Sequence, residues 1–140
     1  MQIALPSIGS PTPPRPRTLR APVRPGIPTS QADSLCRLAI QLTSAVLQSG
    51  EADILQSGRG SRRAAYIRQC AIYLAHVGLG VPLADCARAF GRDKSTLRHA
   101  CNQIEDKRDC PVFDQTIGEL EATACRWADA FLLTNLRGDL

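Results

Sequence analysis

The sequence predicts an all-α fold, and three observations carry that prediction. Apolar residues recur at spacings of three and four from Leu35 to Phe131, which is the period of one face of a helix. No alternation of apolar and polar residues is long enough for a half-buried strand. Glycine, proline and small polar residues interrupt the periodic runs where helices start and stop.

Residues 1–29 hold eight of the chain's ten prolines, alternating with Arg, Ser and Thr, so this stretch has too little apolar surface to fold by itself. A disordered Pro/Arg-rich tail, biased to polyproline II, is expected there. Structure is expected to begin at Ser30, a candidate N-cap with Asp33 three residues on. Leu35, Leu38, Ala39, Leu42, Ala45 and Val46 then form one helical stripe that Gly50 closes. A short helical turn over residues 51–56 leads into the loop SGRGSRR. The next helix is predicted over 64–77, with Ile67, Cys70, Ala71, Leu74 and Ala75 on one side and Gly78 and Gly80 behind it. Pro82 fits the first turn of a short helix whose apolar residues are Leu83, Cys86, Ala87 and Phe90. Asp93 can cap a further helix running to about Lys107, with Leu97, Ala100, Cys101 and Ile104 turned inward. After Asp109-Cys110-Pro111, the series Phe113, Ile117, Leu120, Ala124, Trp127 and Phe131 predicts a last helix. The chain thus divides into a tail (1–29), a helical domain (30–108) and a C-terminal amphipathic helix packing on it (109–140).

The formal net charge is only +4, but its distribution is uneven. Residues 59–108 hold ten basic and four acidic side chains, and residues 109–140 hold two basic and six acidic ones. One face is therefore suited to a polyanion, although a solvated surface with clustered charge reads the same way. The six cysteines contain no CxxC pair and read as small buried apolar residues in a reducing cytoplasm. His76 and His99 are unpaired with any cysteine at ligand spacing, so neither a metal nor any other cofactor is expected. No acid-base pair or activated nucleophile stands out, which argues against an enzyme. No apolar run reaches the ~20 residues of a membrane span, so a soluble, cytoplasmic protein is expected.

Two helices separated by about three residues, the first short and apolar and the second amphipathic, describe a helix-turn-helix. The second helix must bury Leu97, Ala100, Cys101 and Ile104 while offering donors and cations to base edges and phosphates. Lys94, Ser95, Arg98, His99 and Asn102 fall off the buried stripe at 3.6 residues per turn. They form a candidate groove-facing edge, with the helix N-terminus adding its own attraction for phosphate.

The segments SRRAAYIRQCAIYLAH and PLADCARAFGRDKSTLRHACNQIED resemble the C-terminal DNA-binding domain of the bacterial replication initiator DnaA, over roughly residues 32–106. That family carries a basic loop before a helix with an Arg-Gln pair, and an AFGGRDHTTVxHAC signature on its recognition helix. The resemblance implies a small helical bundle of the DnaA domain IV or Trp-repressor-like kind. It assigns Arg68 to the minor groove and Gln69 to the backbone, and places Arg62 and Arg63 in the basic loop. Asp93, Lys94 and Ser95 match positions that read major-groove bases, Thr96 one that holds phosphate, and His99 a backbone contact. Asp93 can equally be a helix cap, and Leu97, at the valine position, reads as core.

Three departures from the family pattern bear on function. One glycine of the GG turn is missing, Lys94 replaces a histidine with an obligate cation, and Ser95 replaces threonine and lacks its methyl. Phosphate affinity is expected to survive these changes; the base preference need not. The chain also has no GxxxxGK[ST] loop, so no ATP hydrolysis is expected. The expected function is sequence-specific binding of double-stranded DNA in the control of replication initiation or transcription, with proteins of those processes as further partners and a monomer favoured. The alternative from another class is a helical interaction module that uses the apolar stripe of residues 113–131.

Overall fold

The computed structural model describes residues 27–48, 50, 54–55 and 61–138. The tail over residues 1–26, most of the expected turn at 51–56 and the loop at 57–60 lie outside the described residues. Among the described residues every regular element is helical, as the apolar periodicity predicts. The elements are α1 (Thr29–Leu47), α2 (Arg62–Tyr73) continued by a π-helical turn (Leu74–Gly78), α3 (Leu83–Phe90), α4 (Lys94–Lys107) and α5 (Pro111–Gly138). No described helix is long and apolar enough to cross a membrane.

Helix α2 is central. It packs on α1 and on α4, while α1 also meets α3 and α5. Ala32, Leu35, Cys36 and Ala39 of α1, Ile67, Cys70 and Ala71 of α2, and Leu97 and Ile104 of α4 share one core. At roughly 25 cal/mol per Å2 of apolar surface removed from water, such burial supplies the main favourable term of folding. Four cysteines are buried in this core, as their reading as small apolar residues requires. Cys110 is instead exposed between α4 and α5, and Cys125 is half-buried with its Sγ 3.4 Å from the Gly78 carbonyl.

Several boundaries differ from expectation for local reasons. Helix α1 starts one residue before Ser30, because the Pro28 carbonyl accepts from the N–H groups of Gln31 and Ala32 at 3.0 Å. Asp33 completes no capping box; its carboxylate accepts from Arg88 of α3 at 3.0 Å. Helix α1 closes at Gln48, in the left-handed conformation at φ 52°, rather than at Gly50. Helix α2 begins earlier than residue 64 because the Ser61 hydroxyl accepts from the Ala64 N–H at 3.1 Å. Its end widens into a π turn, in which the Leu79 N–H reaches the Leu74 carbonyl at 2.9 Å. Pro82 stands at the N-cap of α3, not inside it.

The last helix spans the predicted region. Ile117, Leu120 and Ala124 of its predicted stripe are buried together with Ala128, and Phe113 and Phe131 pack partly against the core. Trp127 is the exception, at 51% exposure. Most of the stripe is therefore core, which weakens its reading as a free interaction face.

Arg108 ties the start of α5 to the body. Its Nε donates to Asp114 at 2.6 Å, and one terminal nitrogen donates to Glu121 and to the Tyr73 hydroxyl, each at 2.9 Å. Burial opposes the guanidinium charge, but the hydrogen bonds to Asp114 and Tyr73 and the charge of Glu121 overcome it, and its pKa rises. Burial pushes the Glu121 carboxyl up despite Arg108, and the Tyr73 phenol up to about 12. Removing Arg108 strands two partly buried carboxylates. The variant Arg108→Met is expected to lose about 2–3 kcal/mol of stability by chemical denaturation, below the range for fully buried pairs. A loss within experimental error would mean that α5 is held by its apolar stripe alone.

Candidate nucleic-acid interface

The turn between α3 and α4 is closed by two backbone hydrogen bonds, from the Arg92 N–H to the Ala87 carbonyl at 3.1 Å and from the Gly91 N–H to the Arg88 carbonyl at 3.3 Å. This Schellman arrangement needs one left-handed residue, and Gly91 supplies it at φ 64°. Nothing lies within 4 Å of where a Cβ would stand, so backbone conformation and not space selects glycine. A single glycine thus suffices for a turn in which the family pattern that the sequence resembles carries two.

Asp93 then starts α4. Its Oδ1 accepts from the Thr96 N–H at 2.7 Å and from the Ser95 hydroxyl at 2.8 Å. The Thr96 backbone bond is the main reason its carboxyl is held below the usual range, with the Ser95 hydroxyl next. The cap reading of Asp93 is therefore realised. Lys94, Ser95, Thr96, Arg98, His99 and Asn102 are all exposed, while Leu97, Ala100, Cys101 and Ile104 are buried. Leu97 is fully buried, as its reading as core requires. His99 Nε2 lies 3.2 Å from the Gln103 amide nitrogen one turn on, which steadies the imidazole on the open side.

The start of α2 lies beside the end of α1. Arg62 is exposed on its first turn, and Arg63 donates to the Leu47 carbonyl at 2.7 Å. That bond satisfies an acceptor at the C-terminus of α1, where the helix dipole favours a cation. Gln69 is half-buried. Arg68 is only 9% exposed, and its Nε donates to the Ile54 carbonyl at 2.7 Å. The guanidinium expected in a minor groove is thus buried and bonded to the backbone of Ile54. Burial lowers its pKa, and the charge of Arg92 lowers it further.

Arg92 is the residue that sequence reasoning passed over. It is half-buried in the turn, close enough to Arg68 for the two charges to interact. Its position inside GRDK, immediately before the cap, was the available signal. Arg88 looks equally basic in sequence, yet it bridges Asp33 and Asp85 at 3.0 Å each and fastens α3 to α1. Lys107 rests over the Tyr66 ring at 4.2 Å, at the far end of α4.

A short apolar helix, a turn fixed by one left-handed glycine, and an amphipathic helix with an exposed polar edge define a helix-turn-helix protein. Residues 40–104 match the family described as the bacterial dnaA protein helix-turn-helix, which bears out the resemblance carried by AFGRDKSTLRHAC. The chain is 36% identical over 85 residues to the chromosomal replication initiator protein DnaA of Lachnoclostridium phytofermentans, covering 59% of this chain and 18% of that protein. It also superposes on the crystal structure of a DNA replication initiation factor with a TM-score of 0.62 and 26% identity, over 68% of this chain and 29% of that one. The chain therefore spans less than a third of either relative.

The cap can be separated from any direct contact of Asp93. A depressed carboxylate pKa contributes stability above the unfolded value of about 3.9 and loses it as pH falls through the folded value. Asp93→Asn, which keeps an acceptor, is expected to melt near the parent temperature at pH 7, and Asp93→Ala below it. The gap to Asp93→Ala should narrow as pH falls from about 4 towards the depressed folded value, where the parent carboxylate takes up its proton. An Asp93→Ala chain with the parent's melting temperature at pH 7 would remove the cap from the account.

Proposed function

We propose that this chain binds double-stranded DNA sequence-specifically through α4, in the control of replication initiation or of transcription. The observation that carries the reading is the division of α4, with Leu97, Ala100, Cys101 and Ile104 buried while Lys94, Ser95, Thr96, Arg98, His99 and Asn102 form one exposed polar edge. In this reading Lys94 and Ser95 face base edges from the first turn, with Thr96, Arg98 and His99 against the phosphate backbone. Asp93 sets the helix start, so its effect on base reading passes through Ser95 and Thr96. Arg62 extends the basic surface, and Gln69 and Arg63 lie beside it. Arg68 and Arg92 supply positive potential where α2 meets the turn, Arg68 also holding the Ile54 carbonyl.

The relatives named as initiators support the replication context, and the proposed role calls on no ATP hydrolysis by these residues. Residues 30–108 serve as the DNA-binding domain, and α5 braces it. A monomer is the working state, in the cytoplasm and on the nucleoid.

Anisotropy titrations on a duplex carrying an initiator-type box and on a scrambled duplex test this reading. Binding to the box should be tighter and fall steeply with salt, since each neutralised phosphate adds about 0.9 to the slope. Arg98→Ala should weaken both duplexes alike and reduce the slope by about 1. Lys94→Ala should narrow the preference for the box, by about 1–3 kcal/mol if a full base contact is lost. Equal affinity for both duplexes across a salt series would contradict sequence-specific reading of that box.

A further inference from the structure

The seam between α1 and α5 is open on one side. Leu42 and Val46 of α1 and Leu120 of α5 line a cleft of about 340 Å3 that Thr116, Glu119 and Thr123 border. Val46 is 48% exposed in it. Trp127, the only tryptophan of the chain, lies one turn beyond Thr123 on the line of α5 that carries Thr116 and Leu120. An open apolar trough with an exposed indole one helical turn beyond it, on a face the helix-turn-helix does not use, is the kind of surface that binds something.

We infer that the cleft receives the chain's own proline-arginine segment, residues 6–25, centred on PTPPRPR at 11–17. Three observations favour this occupant. The first is reach: the segment joins the body at Ile27, which packs against the core at the start of α1. Leu42 lies about 20 Å along α1 from Thr29 at 1.5 Å per residue. Residues 11–26 span up to about 50 Å as polyproline II, so PTPPRPR can cover the cleft without strain on the connection. The second is chemistry. Proline-rich segments seat on open apolar grooves because their backbone is already extended and little conformational entropy is lost on docking, and the exposed Trp127 indole lies one turn beyond the cleft residue Thr123. The third is charge: Arg15, Arg17, Arg20 and Arg24 all precede the first acidic residue of the sequence, Asp33, and the Glu119 carboxylate stands at the cleft. A docked tail keeps these arginines at α5, so the inference stands independently of DNA binding.

A photocrosslinking benzophenone residue introduced at Gln115, an exposed position beside the cleft, tests this in the full-length chain. Irradiation followed by peptide mass spectrometry should give an adduct within one chain to residues 6–25, with a yield independent of protein concentration. Arg15→Glu with Arg17→Glu should abolish that adduct and make Trp127 fluorescence more accessible to acrylamide. Adducts that join two chains and grow with concentration would assign the cleft to a second copy and overturn the inference. Adducts confined to α1 and α5, or none, would overturn it as well.

Discussion

The burial of one side of α4 is the constraint on which the rest depends. Leu97 and Ile104 are fully buried, and Ala100 and Cys101 nearly so, against a body built around α2. With that side fixed, the helical period leaves the positions of Lys94, Arg98 and Asn102 no choice but the outside. Polar residues on a free helix would be unremarkable. Held by a rigid stripe, and started at a fixed residue by the Asp93 carboxylate, they become a surface with defined spacing, which is what reading a groove requires.

Two devices keep that surface aimed. The Gly91 turn and the Asp93 cap set how α4 leaves α3, while Arg88 holds α3 to α1 through Asp33. Arg108 does the equivalent at the other end of α4, joining Tyr73, Asp114 and Glu121 so that α5 closes over the core. The first set acts on the proposed interface directly. The second acts through the body that carries it.

What was legible in the sequence follows from how far each interaction reaches. The Asp93 cap, the glycine turn and the division of α4 are local, made between residues a few positions apart, and each was readable from GRDKSTLRHAC. The family signature added the assignment of Arg62, Gln69 and His99 to one function. Arg68 was readable as basic but not as buried, because its partner is the Ile54 carbonyl, fourteen residues earlier across a connector with no periodic signal. Asp33 read as half of a local capping box, yet its partner Arg88 is 55 residues away. Trp127 read as part of an apolar stripe because alternating steps of four and three keep it near the buried side. The helix turns 3.6 residues at a time, and this places it at the open edge instead.

The chain joins the exposed polar edge of α4 to a brace whose outer seam is apolar and open. The central claim is that double-stranded DNA meets α4 and the start of α2. It is tested most directly by backbone amide chemical shifts of the labelled full-length chain as box-containing duplex is added. The account predicts the largest shifts over residues 93–102 and 61–69, with residues 115–127 of α5 nearly unmoved. Shifts concentrated on α5, or none at a duplex concentration that saturates a basic surface, would contradict it.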